Sequence, residues 1–387
     1  MKKLLFICWD SETSNYLETL FFPILSGLGM ECHVMQFSWA NPVEVSRIQE
    51  LAKGFGVNYK HVPVSRKPHP AIGAIWTVYR GKGIIRSYIQ EHAINVLMPR
   101  SIMPAMMVNR LKNWLKDRQV QLVYDADGLS IEERVDFAGL KPGSYRYRKQ
   151  KGEELEMLLQ ADLVLTRSNK AIQFLLAGNQ ELTPDKFFKV SNGRDPNHFV
   201  PDLQKRKHYR NLWGLQEKDI LLAYTGSIGV PYKWERMLEI FTWLHHAAPG
   251  SKFLVLTRSQ LQIPAALTDA VIVIQGAFAD IPGYLSAADI GISLRKSAPS
   301  LIGLAPIKIG EYFLMGLPVL LSAGIGDTEA LLSGISFAQY EENLSKDQLM
   351  QWVKESLAIP KTEIRDFGIR HFNLQQTIAG YKEILHA

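Results

Sequence analysis

Residues 300 to 319 read Ser-Leu-Ile-Gly-Leu-Ala-Pro-Ile-Lys-Ile-Gly-Glu-Tyr-Phe-Leu-Met-Gly-Leu-Pro-Val. A loop of small and apolar residues, Ser300 to Ala305, leads into Pro306. Proline suits the first helical position, because the N–H it lacks would be an orphan there. Lys308 and Glu311 lie three apart and share one face of the opening turns. Gly316 and Pro318 stop the helix after about three turns, and Val319 to Ser322 reads as the next strand. The predicted helix end therefore offers free amides, a partial positive charge, one ammonium and one carboxylate. Such an end can hold a diphosphate on its amides, while a carboxylate about a turn further in can accept hydrogen bonds from a ribose diol. A nucleoside diphosphate needs both. The competing reading is an amphipathic helix with a solvated Lys/Glu pair.

The pattern P-x-K-x-x-E-Y-x-x-x-G-x-P-V resembles the donor-binding segment of retaining glycosyltransferases of the GT-B fold, above all the large bacterial group that builds surface polysaccharides. The resemblance implies that Glu311 binds the ribose and that Leu301, Ile302, Gly303 and Leu304 present backbone amides to the pyrophosphate. It extends to Tyr-Thr-Gly-Ser-Ile-Gly-Val-Pro-Tyr-Lys-Trp, 224 to 234, where a glycine-rich loop ends in a lysine that reaches the donor pyrophosphate. Gly226 and Lys233 match that spacing. Many members carry an arginine directly after the glycine; this chain has Ser227, so Lys308 and a neighbour such as Arg295 are candidates to supply the missing charge. Arg295 ends the segment 278 to 295, which looks like the family's short helix, Ala-Ala-Asp and strand. Its place at the carboxyl end of a strand makes it a candidate phosphate contact. Asp289 in the same segment reads as a scaffold residue, and so does the turn Asn192-Gly193-Arg194-Asp195.

Two further departures matter. Where many members place a second glutamate against the donor sugar, this chain has Gly303, and where many place a histidine above the sugar, it has Asp127. Asp127 could accept a sugar hydroxyl or cap its own loop. Asp125-Ala126-Asp127 is also a D-x-D string, the kind that holds a divalent metal against donor phosphates in GT-A glycosyltransferases. Nothing else follows that single-domain plan, so no metal and no cofactor are expected, only the nucleotide-diphosphate sugar as substrate. Gly54-Phe55-Gly56 and Gly324-Ile325-Gly326 lack the third glycine of a dinucleotide fingerprint.

The rest of the chain must position these groups. Its 387 residues exceed what one core usually serves, so two domains are expected. Short apolar runs alternate with longer helical stretches in a βαβ rhythm that argues for parallel sheets. Strands are predicted near 3–9, 31–39, 58–64, 93–99, 121–126, 162–168 and 187–193. A polar linker from Pro196 to about Tyr209 follows. Further strands are predicted near 220–227, 252–258, 271–277, 289–295, 318–322 and 334–340. Residues 1–200 are assigned to an acceptor-binding Rossmann-like domain and 201–364 to a donor-binding one. The last helix, about 365–387, is expected to return to the first domain, and the active site to lie in the cleft between the two. The expected fold class is α/β, GT-B, with two doubly wound parallel-sheet domains.

Cys8 and Cys32 fall in predicted strands and read as buried, reduced thiols of a cytoplasmic protein. The opening Met-Lys-Lys-Leu-Leu-Phe-Ile-Cys-Trp-Asp is too short an apolar run for a signal peptide. Net charge is +6, and residues 80 to 151 alone carry 14 Lys/Arg against 7 Asp/Glu. With Trp76, Tyr79, Tyr88, Trp114, Tyr145 and Tyr147 interleaved, that stretch suits the inner face of an anionic membrane. The expected function is metal-independent transfer of a sugar from a nucleotide-diphosphate sugar to a glycan or lipid-linked acceptor, with retention: the resemblance implies that the acceptor hydroxyl attacks from the face the diphosphate leaves and that the leaving phosphate oxygen takes its proton. Lys233, Lys308 and Asp127 are the catalytic candidates; Glu311, Gly226, Ser227, Leu301 to Leu304 and Arg295 bind the donor. The rival readings are a non-catalytic nucleotide-sugar binder, suggested by Ser227 and Gly303, and a basic membrane-surface or nucleic-acid adaptor. No nucleic acid partner is expected.

Overall fold

The computed structural model describes residues 2–13, 15–305 and 307–386. Pro306, expected at the first helical position, lies outside the described residues. Two compact units partition the chain. The first comprises residues 1–191 with Pro299–Leu304 and 377–387, and the second Asn192–Ala298 with Ala305–Gln376.

The first unit holds a seven-stranded parallel sheet: β1 (Lys3–Trp9), β2 (Glu31–Ser38), β3 (Asn58–Pro63), β4 (Val96–Pro99), β5 (Gln121–Asp125), β6 (Leu163–Thr166) and β7 (Phe187–Lys189), in the order β3-β2-β1-β4-β5-β6-β7. Leu4 to Cys8 are five consecutive buried residues, as expected for a central strand covered by helices on both faces. The second unit holds six strands: β8 (Leu221–Thr225), β9 (Lys252–Leu256), β10 (Val271–Ile274), β11 (Ile290–Ser293), β12 (Val319–Leu321) and β13 (Ala338–Tyr340), in the order β10-β9-β8-β11-β12-β13. Both sheets are doubly wound. The order reverses between β1 and β4 in one and between β8 and β11 in the other, so the carboxyl ends of those strands are where ligands bind in such sheets. Cys8 and Cys32 are buried free thiols, and burial pushes the Cys32 thiol up to about 12.

Two segments differ from the sequence reading. The expected linker contains a helix, Leu203–Leu212, whose start is capped by Asp202 accepting from the amides of Gln204 (2.8 Å) and Lys205 (3.0 Å). Its inward contact is made by arginines: Arg206 and Arg210 reach Asp289 at 2.8 and 2.9 Å. A helix that buries guanidinium groups instead of an apolar stripe carries no hydrophobic period to read. The expected single C-terminal helix is two, Lys361–His371 and Leu374–His386. They part because Phe372 O accepts from Arg194 N (2.7 Å) and Leu374 N donates to Arg194 O (2.9 Å), which takes both groups out of the helical ladder.

The helix Ile307–Leu314, which carries Lys308 and Glu311, is fixed by close backbone approach. Ile309, Tyr312 and Phe313 are fully buried. A Cβ on Gly368 would lie 2.7 Å from Leu314 N, and one on Gly310 would lie 2.7 Å from the Phe372 ring. The helices Ile307–Leu314 and Lys361–His371 therefore cross through glycines. Gly368→Ala should lower stability, because overpacking against backbone costs about 1–3 kcal/mol, more than the roughly 0.5–1 kcal/mol that alanine gains inside a helix. Urea unfolding reads the sign, and a more stable variant would contradict this packing.

Candidate functional site

In the second unit the residues at the ends of β8 and β11 converge. The Tyr312 ring lies over Gly291 of β11, where an added Cβ would sit 2.5 Å from it. Its hydroxyl accepts from Thr225 N (2.9 Å) and donates to Ile292 O (3.3 Å), tying the two strand ends together. Directly after Thr225 the chain turns at Gly226, whose φ of +109° is a conformation glycine tolerates best. A Cβ there would meet Lys308 Cε at 2.7 Å, so the missing side chain makes a notch for the lysine.

Lys308 Nζ donates to Tyr224 OH (2.8 Å), which donates in turn to Ser227 O (2.6 Å). The ammonium stands 4.4 Å from the Tyr224 ring centre and 4.2 Å from that of Tyr232. The Arg295 guanidinium lies 5.1 Å from the Tyr232 ring, so two cations share one phenol. Among the described residues, no carboxylate forms an ion pair with Lys308. Burial lowers the Lys308 pKa, and Arg295 pushes it the same way against the opposing pull of Tyr232. Burial alone would raise the Tyr232 phenol, but Lys308 and Arg295 outweigh it and hold that phenol below its ordinary value. Lys308 and Arg295 thus bring two cations to one phenol, and an anion with several oxygens would complement them.

The other expected residues of this unit are engaged elsewhere. Lys233 lies at the start of the helix Trp234–Ala247, and its ammonium pairs with Glu341 and, at 3.5 Å, with Glu342. Its amide donates to Leu294 O (3.2 Å), so its backbone sits beside Arg295 while its charge is neutralised just past β13. Glu311 is buried and accepts from Arg194 Nε at 2.8 Å. The turn read as scaffold thus delivers a cation to the carboxylate expected to bind ribose. Asp289 does hold scaffold: besides the two arginines it accepts from Leu221 N (2.8 Å) at the start of β8.

In the first unit Asp127 belongs to a buried charge cluster. Arg100 follows β4 and reaches Asp125 at 3.0 Å and Asp127 at 2.6 Å. Arg167 follows β6 and reaches Asp125 at 2.8 Å and Asp127 at 3.8 Å. Asp127 has a φ of +65° and is the more exposed of the two acids, while Asp125 is fully buried. Burial alone would raise the Asp125 carboxyl, but Arg167 and Arg100 outweigh it and hold it below the usual carboxylate range. Arg167 Nε and Nη1 and the Tyr381 hydroxyl are buried without hydrogen-bond partners. The two acids of the D-x-D string thus each face two guanidinium groups.

The segment expected to hold the pyrophosphate, Leu301 to Leu304, belongs to this unit and lies on the turn after Asp127. Ser168 Oγ donates to Ile302 O (2.5 Å), and Ser300 N donates to Asp136 (2.9 Å). A Cβ on Gly303 would lie 2.6 Å from Leu129 N. The departure from glutamate at this position therefore has a packing cause: no side chain fits there.

No protein-family model and no curated protein sequence matches the chain. Among solved structures, the chain superposes on Anabaena Alr3699/HepE in complex with UDP and glucose with a TM-score of 0.71 at 13% identity, over 100% of both chains. WaaG, a glycosyltransferase involved in lipopolysaccharide biosynthesis, gives a TM-score of 0.63 at 19% identity over 98% of this chain and 95% of that one. UDP-GlcNAc 2-epimerase from Neisseria meningitidis, bound to UDP-GlcNAc, gives 0.61 at 10% identity over 99% of each. The fold is GT-B. At these identities the likeness establishes the architecture, and GT-B chemistry in this chain must be argued from its own residues.

Sequence reasoning missed Arg100, Arg167, Arg194, Tyr224 and Tyr232. A signal was present for the first: Arg100 directly follows the strand predicted over 93–99, much as Arg295 ends the one over 289–295, whereas Arg167 fell inside the strand predicted over 162–168 and only the observed end of β6 at Thr166 frees it. For the tyrosines none was, since aromatic residues at strand ends read as core. Asp125→Asn should cost about 3–5 kcal/mol of stability at neutral pH, because two buried guanidinium groups lose their partner. The folded carboxyl titrates below the unfolded value of about 3.9, so its contribution is full above that pH and is lost as pH falls through the folded value. Denaturation at pH 7 and pH 3 should show the gap between variant and wild type closing; an equal gap at both would contradict the assignment.

Proposed function

We propose that this chain is a glycosyltransferase that moves a sugar from a nucleotide-diphosphate sugar to a hydroxyl of a glycan or lipid-linked acceptor. One observation carries the reading: Lys308 and Arg295 converge on Tyr232 beside the turn at Gly226, with no acid paired to the lysine among the described residues. The donor diphosphate supplies the absent charge. In the transition state the bond from the anomeric carbon to the phosphate oxygen breaks while the acceptor oxygen bonds to that carbon. The developing diphosphate charge falls on Lys308 and Arg295, and the acceptor proton passes to the leaving phosphate oxygen. Positioning and charge stabilisation then do the catalytic work, and the reaction proceeds with retention and without a metal. Asp127, held between Arg100 and Arg167, accepts a sugar hydroxyl. Glu311 serves the ribose while keeping Arg194, and Lys233 contributes to the phosphate when it exchanges Glu341 for the donor.

The ion pairs of Lys233 and Glu311 favour a second reading, in which the chain binds nucleotide sugars without turning them over. A panel of UDP, GDP, ADP and CMP sugar donors separates the two. Transfer, or slow hydrolysis, of one donor supports the enzyme, and Lys308→Met should lower that rate by about 10²–10³-fold, the usual cost of removing one such donor to developing charge. Donor binding with no sugar released under any acceptor would establish the second reading, and a Lys308→Met variant with the wild-type rate would remove the site assignment.

A further inference from the structure

We propose that the helix Pro70–His92 docks the first unit onto an anionic lipid surface. Ile72, Ile75, Trp76 and Tyr79 are 54%, 65%, 54% and 59% exposed. At 3.6 residues per turn they fall within an arc of about 100°. Arg80 then lies about 40° beyond one edge of the arc and Lys82 about 20° beyond the other, with Arg86 further along the stripe. Four large apolar side chains on one exposed helical stripe are not explained by folding of this unit. Cations on both flanks place their charged ends at headgroup level when the stripe enters the acyl boundary.

The charge pattern selects the occupant. No Asp or Glu occurs from Leu51 to Gln90, while Lys53, Lys60, Arg66, Lys67, Arg80, Lys82 and Arg86 do. Lys82 lies 4.7 Å from the Tyr79 ring, and Arg86 lies 5.2 Å from the Trp114 ring, which Arg118 approaches at 4.8 Å. The stripe therefore continues into an aromatic residue between two guanidinium groups, a pairing suited to the headgroup layer.

This replaces the broader expectation that residues 80–151 form one basic face. Arg100 is paired with Asp125 and Asp127, Arg110 with Glu153 (2.8 Å), and Lys151 with Glu132 (2.9 Å) and Glu154 (2.5 Å). Tyr88 is core, hydrogen-bonded to His33 at 2.9 Å. These cations are held by acids of their own unit, and the apolar component lies before the stretch, at 72–79.

The test is co-sedimentation of the full chain with vesicles of phosphatidylcholine, with and without about one third phosphatidylglycerol. The proposal expects binding to the anionic vesicles, at least tenfold weaker binding for Ile75→Glu/Trp76→Glu and for Arg80→Glu/Lys82→Glu, and weakening of wild-type binding by salt. Thermal unfolding of both variants should match wild type, since the replaced side chains are exposed or at the surface. Equal binding of wild type and either folded variant, no preference for anionic vesicles, or no vesicle binding at all would overturn it. So would single-stranded RNA binding with the vesicles left unbound. None of these outcomes depends on sugar transfer.

Discussion

The ammonium of Lys308 sits in the notch left by Gly226, between the Tyr224 and Tyr232 rings and, among the described residues, without an acid paired to it. That placement governs the rest of the second unit. A lysine neutralised by a carboxylate must give up that partner to bind a phosphate, whereas one held by ring faces and a phenol keeps its charge for an incoming anion. Holding it there requires glycine at 226, a Tyr312 ring flat on Gly291, and helices that cross through Gly310 and Gly368. The desolvation that lowers the lysine pKa is the same condition that strengthens its attraction for a diphosphate.

The first unit solves a different problem at the carboxyl ends of β4, β5 and β6. Arg100 and Arg167 emerge from the ends of β4 and β6, but here two carboxylates meet them. The cluster is close to neutral, which suits hydroxyl groups better than phosphate. Arg167 Nε and Nη1 and the Tyr381 hydroxyl, which make no hydrogen bond among the described residues, leave donors for an uncharged polar ligand or water.

Much of the fold was legible in the sequence. All thirteen strands lie where the alternation of short apolar runs placed them, because parallel strands buried on both faces are continuous apolar segments. The helix carrying Lys308 and Glu311 was read from its stop signals; Gly226 was singled out for its spacing to Lys233, whereas the side chain that fills its notch is that of Lys308. What escaped was long-range and polar. The pairing of Glu311 with Arg194 joins residues 117 apart, and that of Lys233 with Glu341 joins residues 108 apart. No local period encodes either. The helix Leu203–Leu212 escaped because it buries arginines, and the Gly303 departure made sense only once Leu129 was seen against it.

Proton uptake on nucleotide binding tests the central claim most directly. A diphosphate seated on Lys308 raises the pKa that burial has lowered, so at alkaline pH binding must draw a proton from the buffer. Calorimetric titration of UDP, GDP and ADP near pH 9, in two buffers of different ionisation enthalpy, measures it. The account predicts uptake for the nucleotide that binds, with both uptake and affinity falling in Lys308→Met. A nucleoside diphosphate that binds the variant as tightly as wild type with no proton exchanged, or a chain that binds none of them, would contradict it.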